Sequence, residues 1–456
     1  MKSSRKSSRP SSRRPASEVR GRRVETQGAP AVRSLAVALG RLFVWLVVLV
    51  PPFVVSVNAK EAFRLPKLMA SEWLALASLL CLSLRLWEVD EVKPADLWRR
   101  PAVRAVLPFL LVAAVGIWAS RHPLHVREAM VDLGIGAAVL VGWSLALESR
   151  WQEKVLRGLL WPASALALLG ILQFHGIFQP LAFAGIEYDP RLSITSLAGN
   201  PGDLGAYLVL PCLIAQWVIA RSAGRARWLA AAALAVCLYA IAVTQTLAAL
   251  AALVVGSLLL WALLLPRRRA ALFLGGGAVA AVLLVLAVPP LRSRVVAKTS
   301  QALSGDWNSV LTGRLDGWTA AVWMFRQHPW AGVGHGAYRP EFMPAKLALL
   351  DRGADFYAEQ VLPVFANAHN EYLEVAAEMG APGIVALGWG LWALLAALRR
   401  GDDAPDAGGA LAWAGTAALA VLSLAHFPFH VALISYPALL FLSWIFRRGA
   451  GEEAPA

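Results

Sequence analysis

Apolar runs of membrane-spanning length recur along almost the whole chain, and no other feature narrows its fold so far. They lie near residues 35–57, 68–87, 103–119, 131–147, 155–176, 203–220, 227–243, 246–265, 270–288, 381–398, 408–427 and 431–446. A helix of this length crosses about 30 Å of hydrocarbon, and it satisfies every backbone N–H and C=O without water. The polar break at Thr244, Gln245 and Thr246 reads as a tight hairpin between two such helices. Composition agrees, because 58% of residues are hydrophobic and only 16% are charged, where soluble domains average about 25%. The predicted fold class is an all-α polytopic membrane protein of about twelve transmembrane helices.

Charge sets the expected orientation. Residues 1–33 hold ten Lys and Arg against Glu18 and Glu25, more than half of the chain's +14 excess. This Ser-, Arg- and Pro-rich tail has little apolar surface to bury and is expected to be a disordered cytoplasmic anchor touching anionic lipid, not a nucleic-acid binder. Basic residues then recur at Arg99–Arg100, Arg150–Lys154, Arg221–Arg227, Arg267–Arg269, Arg399–Arg400 and Arg447–Arg448. By the positive-inside rule both termini are cytoplasmic, with loops 177–202 and 289–380 on the external face. The expected organisation is the tail 1–33, nine helices over 34–288, a large partly helical loop over 289–380, three helices over 381–446 and a short tail 447–456. Cys81, Cys212 and Cys237 fall in separate apolar runs, which argues against a disulfide framework or a metal cluster. The sequence holds no Walker motif, HExxH or dinucleotide fingerprint.

Chemistry-bearing residues concentrate in the two external loops. In 312–327, Leu315, Trp318, Val322 and Phe325 share one helical face, which predicts a short surface helix opening near Arg314. In HPWAGVGHGAY the glycines Gly332, Gly334 and Gly336 alternate, as in an anion-binding nest or an ordinary turn. In FANAHNEYLEVAAEMG, Asn367 or Asn370 caps a helix that begins near Glu371 and stops at Gly380, placing His369 where an imidazole serves as general base or as a packing residue. In YDPRLSITSLAGNPGDLG, Asn200 and Pro201 open a membrane helix, and Arg191 brings a cation to the same depth, an arrangement that favours phosphate or is only a surface charge beside a cap. His426 and His430 have helical spacing, but Pro428 between them disturbs the helix a metal site would need.

Together, KEAFRLPK after the first helix, RLSITSLAGNPGDLGAYL, GRLDGW followed by HPWAGVGHGAY, and AHNEYLEVAAEMGAPG resemble the O-antigen ligase family. Its relatives are the Wzy-type polysaccharide polymerases and the bacterial O-linked oligosaccharyltransferases. The resemblance covers roughly residues 34–446. It implies a cofactor-free, metal-independent glycosyltransferase of C-type architecture in a bacterial inner membrane. Such an enzyme moves a glycan from undecaprenyl diphosphate to lipid A-core, a growing polysaccharide or a protein hydroxyl on the periplasmic face. By the same resemblance His369 activates the acceptor and Arg191 and Arg314 hold the diphosphate; Arg339 is expected to join them, and Asn200, Gly334, Gly336, Asn370 and Glu371 to support the loops. Two positions depart from the pattern. Thr246-Leu247-Ala248 replaces a Ser-Arg-Gly hairpin, so a cation such as Arg339, Arg292 or Lys346 would have to compensate, and His426 stands where relatives often carry an acid. The competing class is a polysaccharide or lipid transporter, which usually carries ionisable residues at mid-membrane and pseudo-symmetric halves.

Overall fold

Each apolar run is helical over most of its length in the computed structural model of the protein. The structure describes residues 29–88, 97–179, 191–354, 356, 365–400 and 406–450. Most of the basic tail therefore lies outside the described residues, as do 180–190 in the smaller external loop and 451–456 at the end. Seventeen α-helices follow in order: α1 (Ala29–Leu49), α2 (Arg64–Glu88), α3 (Pro101–Ala119), α4 (Pro123–Ala146), α5 (Ser149–Gly158), α6 (Leu160–Phe174), α7 (Pro201–Arg221), α8 (Gly224–Thr244), α9 (Leu247–Leu264), α10 (Arg267–Ala287), α11 (Pro289–Leu303), α12 (Trp307–Val310), α13 (Arg314–Gln327), α14 (Tyr338–Leu350), α15 (Glu371–Arg399), α16 (Ala407–Leu422) and α17 (Ala432–Gly449). No strand occurs among the described residues.

Among the described residues ten helical segments are long and apolar enough to cross a membrane, against the twelve expected, and the last two runs account for the difference. Helix α16 has 16 residues, about 24 Å of rise. Helix α17 ends on Arg447 and Arg448 and is buried along most of its length. The lipid-facing character of the bundle is clearest at α10, where only 6% of the membrane window is buried, and its opposite is α7 at 89%. Around α7 pack α8, α9, α16 and α17. Small residues permit the closest approaches, as in membrane helix packing generally: a Cβ at Gly256 of α9 would lie 2.8 Å from Leu213 of α7 and 3.0 Å from Ala418 of α16. Polar side chains inside the bundle bond to one another, with Trp261 donating to Gln216 at 2.7 Å and Gln216 to Ser257 at 2.9 Å.

Beyond the bundle, the 289–380 segment has a core of its own. Ala320, Ala321 and Met324 of α13 meet Tyr338, Phe342 and Ala345 of α14 and Ala377 of α15. The packing face of α13 is therefore its small-residue face, and the expected stripe of Leu315, Trp318, Val322 and Phe325 is left half-exposed. Gly317 explains the choice: a Cβ there would stand 3.0 Å from the Ala368 carbonyl oxygen, so only this side of α13 can lie flat against the loop before α15.

Candidate functional site

The site begins at the first turn of α7. Asn200 accepts the Asp203 backbone N–H at 2.8 Å and donates its side-chain amide to the Asp203 carboxylate at 2.8 Å, with Pro201 following as first helical residue. The buried Asp203 carboxylate also accepts Arg64 Nε and Nη2 at 3.2 and 3.0 Å and faces His426 Nε2 at 3.3 Å. Arg64 comes from KEAFRLPK and Asp203 from GNPGDLG, so two motifs meet here, and at His426 the acid comes from a different helix. Gly205 makes room for the α8–α9 hairpin, because a Cβ would lie 2.9 Å from Thr244 Oγ1. That hairpin turns on Gln245 at φ 55°, and Thr246 Oγ1 donates to the Pro201 carbonyl at 3.2 Å.

Three guanidiniums gather beside the hairpin. Arg191 donates Nε to the Thr244 carbonyl at 3.1 Å, Arg314 donates Nη1 to the Leu311 carbonyl at 2.9 Å, and Arg294 reaches in from α11. All three line one open cleft of about 420 Å³ with Thr246 and Leu247 at the start of α9, and among the described residues no carboxylate lines it. Burial lowers the pKa of Arg314, and the Arg191 and Arg294 charges lower it further. Like charges so gathered repel, and a helix N-terminus adds partial positive charge to the same place. The cleft is complementary to a multiply charged anion, and phosphoryl oxygens match the guanidinium fork.

Of the sequence-predicted cations, Arg191 and Arg314 are brought together and Arg339 is not. Arg339 is paired with Glu61 at 3.9 Å, both about half exposed. The reason is helical phase: Tyr338, one residue earlier, is buried with its N–H on Glu378 at 3.1 Å, which turns Arg339 outward. Arg292 is exposed. Lys346 is buried with its ammonium 5.3 Å from the Phe356 ring centre. The missed residue is Arg294, and its signal was the spacing of Leu291, Arg294 and Lys298, which form the inner face of α11 while Arg292 points away.

His369 sits between this cleft and the Arg64–Asp203–His426 group. Its ring is edge-on to Phe365 at 5.5 Å and to Phe427 at 4.7 Å, and Phe427 in turn stacks on His426 at 4.8 Å. Its backbone is left-handed at φ 56°, a conformation costly for a residue with a Cβ and held only by its surroundings. Glu374 does the holding, accepting the Ala368 N–H and the Asn367 amide, each at 2.8 Å. Asn370, not Asn367, caps α15 by accepting the Leu373 N–H at 3.0 Å. Glu371 accepts the Phe429 N–H at 3.0 Å, and His430 lies between Glu371 and Glu374 at 3.4 and 3.5 Å. The two histidines of HFPFH thus serve different carboxylates. Burial, then Arg314, His426 and Arg64, push the pKa of His369 down to about 3. The imidazole is therefore neutral at physiological pH, and its Nδ1 is buried without a hydrogen-bond partner.

The alternating glycines do form a nest, but its anion is internal. Gly332, Gly334 and Gly336 have φ of 66°, 107° and 79°. The loop closes on Glu378, whose carboxylate accepts the Gly336 and Tyr338 backbone N–H groups and lies 3.0 Å from His335 Nδ1. Gly334 N–H donates to the Glu378 carbonyl at 2.8 Å. At Gly380 (φ 64°, ψ −159°) the helix is interrupted, and the next N–H, of Ala381, donates to the Pro329 carbonyl at 2.7 Å.

Residues 232–388, from the middle of α8 through the hairpin, Arg294, Arg314 and His369 into α15, match the family model described as O-antigen ligase. The apolar helices mark the chain as a multi-pass membrane protein, and its likeness to O-antigen ligases rests on this segment. Arg191, Asn200, Asp203 and His426 lie outside the matched segment yet belong to the same candidate site. No curated protein matches the chain.

Proposed function

We propose that the protein transfers a glycan from undecaprenyl diphosphate to an acceptor hydroxyl at the periplasmic face of a bacterial inner membrane, the acceptor being lipid A-core or a growing polysaccharide. The observation that carries this reading is the convergence of Arg191 and Arg314 on one cleft, with neutral His369 close enough to feel the Arg314 charge. The acceptor oxygen attacks the anomeric carbon, the bond from that carbon to the diphosphate breaks, and His369 takes the hydroxyl proton. The guanidiniums offset charge as it accumulates on the departing diphosphate, so stabilisation is greatest in the transition state.

Burial is the main cause of the low pKa of His369, and the Arg314 charge lowers it further. A bound diphosphate neutralises the Arg314 field and raises the basicity of the imidazole when a proton has to be accepted. The test is incubation of purified protein with a lipid-diphosphate glycan, without nucleotide, against lipid A-core, polysaccharide and protein acceptors. Transfer to one of them, with release of undecaprenyl diphosphate, is the expected result. Movement of intact glycan lipid across a vesicle, or transfer that requires ATP, would replace this reading with transport or with an energised step.

A further inference from the structure

The cleft contains a guanidinium that the donor reading does not yet use. Arg294 lies on the inner face of α11, where Leu291 is buried and Arg294 and Lys298 are half-buried, while Arg292, Ser293, Val295 and Val296 are exposed. Helix α11 is pinned in place by the Lys298 ammonium, which donates to the Ser309 carbonyl. Two residues further on, the Leu311 carbonyl accepts Arg314 Nη1 at 2.9 Å. Arg294 and Arg314 are thus mounted on the same short framework. Across the cleft lining, α9 contributes its backbone start and the half-exposed Leu247, which has no charge to offer.

We propose that Arg294 is a third diphosphate-binding residue, supplying from the α11 helix the charge that the hairpin position Leu247 does not supply. The inference rests on the donor reading above. Chemistry makes the third cation specific for a diphosphate. A prenyl monophosphate gathers its charge on one phosphorus centre, which two guanidiniums can face together, whereas a diphosphate carries more charge spread over two phosphorus centres and presents a second group of oxygens to a third guanidinium. Arg294 therefore governs discrimination between prenyl diphosphate and prenyl monophosphate, a distinction that matters because the first is donor and leaving group and the second is not. Its field already reaches Arg314, whose pKa it lowers.

The experiment uses the full chain in detergent with farnesyl diphosphate and farnesyl monophosphate as probes, read by calorimetry. Arg294→Ala is expected to weaken diphosphate binding roughly 30-fold and monophosphate binding less than about threefold, and Arg294→Lys is expected to lose about tenfold on the diphosphate because an ammonium cannot fork. Leu247→Arg introduced into Arg294→Ala is expected to recover most of the loss, which also shows that the variant is folded. If Arg294→Ala and Arg294→Lys bind the diphosphate like the parent while Arg314→Ala does not, Arg294 has no such role and the donor reading stands. If the parent binds neither probe, the donor reading fails and takes this inference with it.

Discussion

Glu374 accepts the backbone N–H of Ala368 at 2.8 Å and so fixes the peptide immediately before His369. The carboxylate is buried and never faces the cleft, yet it sets where the imidazole points. Glu374→Ala should lower the transfer rate about 10- to 100-fold, the loss of one to two buried hydrogen bonds, with donor binding changed less than the rate. Single-turnover kinetics alongside equilibrium donor binding separates the two. Equal losses in both would mean that Glu374 shapes the donor cleft instead.

At His369 the left-handed backbone makes glycine the cleaner deletion. His369→Gly and His369→Ala should both reduce transfer by about 10²- to 10⁴-fold, the range for a lost general base, while leaving diphosphate binding intact. The glycine variant should melt no lower than the alanine variant, since only alanine keeps a Cβ at φ 56°. Transfer at the parental rate by either variant removes His369 from the mechanism.

Arg314 and Arg339 should separate sharply. Arg314→Ala is expected to abolish donor binding, whereas Arg339→Ala, which loses only an exposed pair with Glu61, should stay within about threefold of the parent. Donor titration on the two variants checks this, and a large loss at Arg339 would move the cleft toward α14.

The pH profile should differ between free and donor-loaded protein. With the imidazole pushed down to about 3 by burial and by Arg314, the general base of the free protein stays neutral as pH falls from 8 to 5, so the acid limb of kcat/KM should not report His369 in that range. In the donor complex its pKa is higher, so the acid limb of kcat should lie at higher pH than that of kcat/KM. Coincident limbs would argue against coupling between diphosphate and base.

His430 predicts a pH dependence of stability. Partial burial lowers its pKa, but Glu371 and Glu374 outweigh that and raise it to about 10, above the unfolded value near 6.5. Protons are thus bound more tightly in the folded state, so this contribution is complete below pH 6.5 and declines as pH rises toward 10. Thermal melts in detergent should fall across that window in the parent and fall less in His430→Gln. Parallel curves would show that the histidine is not charged.

Much of this fold was legible because hydrophobic periodicity is a local signal. The hairpin at Gln245, the cap at Asn370 and the interruption at Gly380 each follow from side-chain chemistry within a few residues. Arg191, Arg314 and His369 were legible only through motif resemblance, since nothing local distinguishes them from a surface cation or a packing imidazole. What local reading missed depends on which elements meet. Asp203 facing both Arg64 and His426 joins three distant segments, and Arg339 stood beside Arg191 and Arg314 as a candidate until the buried Tyr338 set the phase of α14. The departure at Leu247 likewise pointed to Arg292, two positions from the residue that enters the cleft.

Glu378 fills the glycine nest from within the chain. A loop whose anion is covalently supplied is complete before any substrate approaches, so the scaffold around the base does not wait on ligand to take shape. Heat-stability gained on adding donor would then report occupancy of the arginines alone, and a glycan lipid that fits poorly meets a finished wall instead of a surface that moulds itself around it.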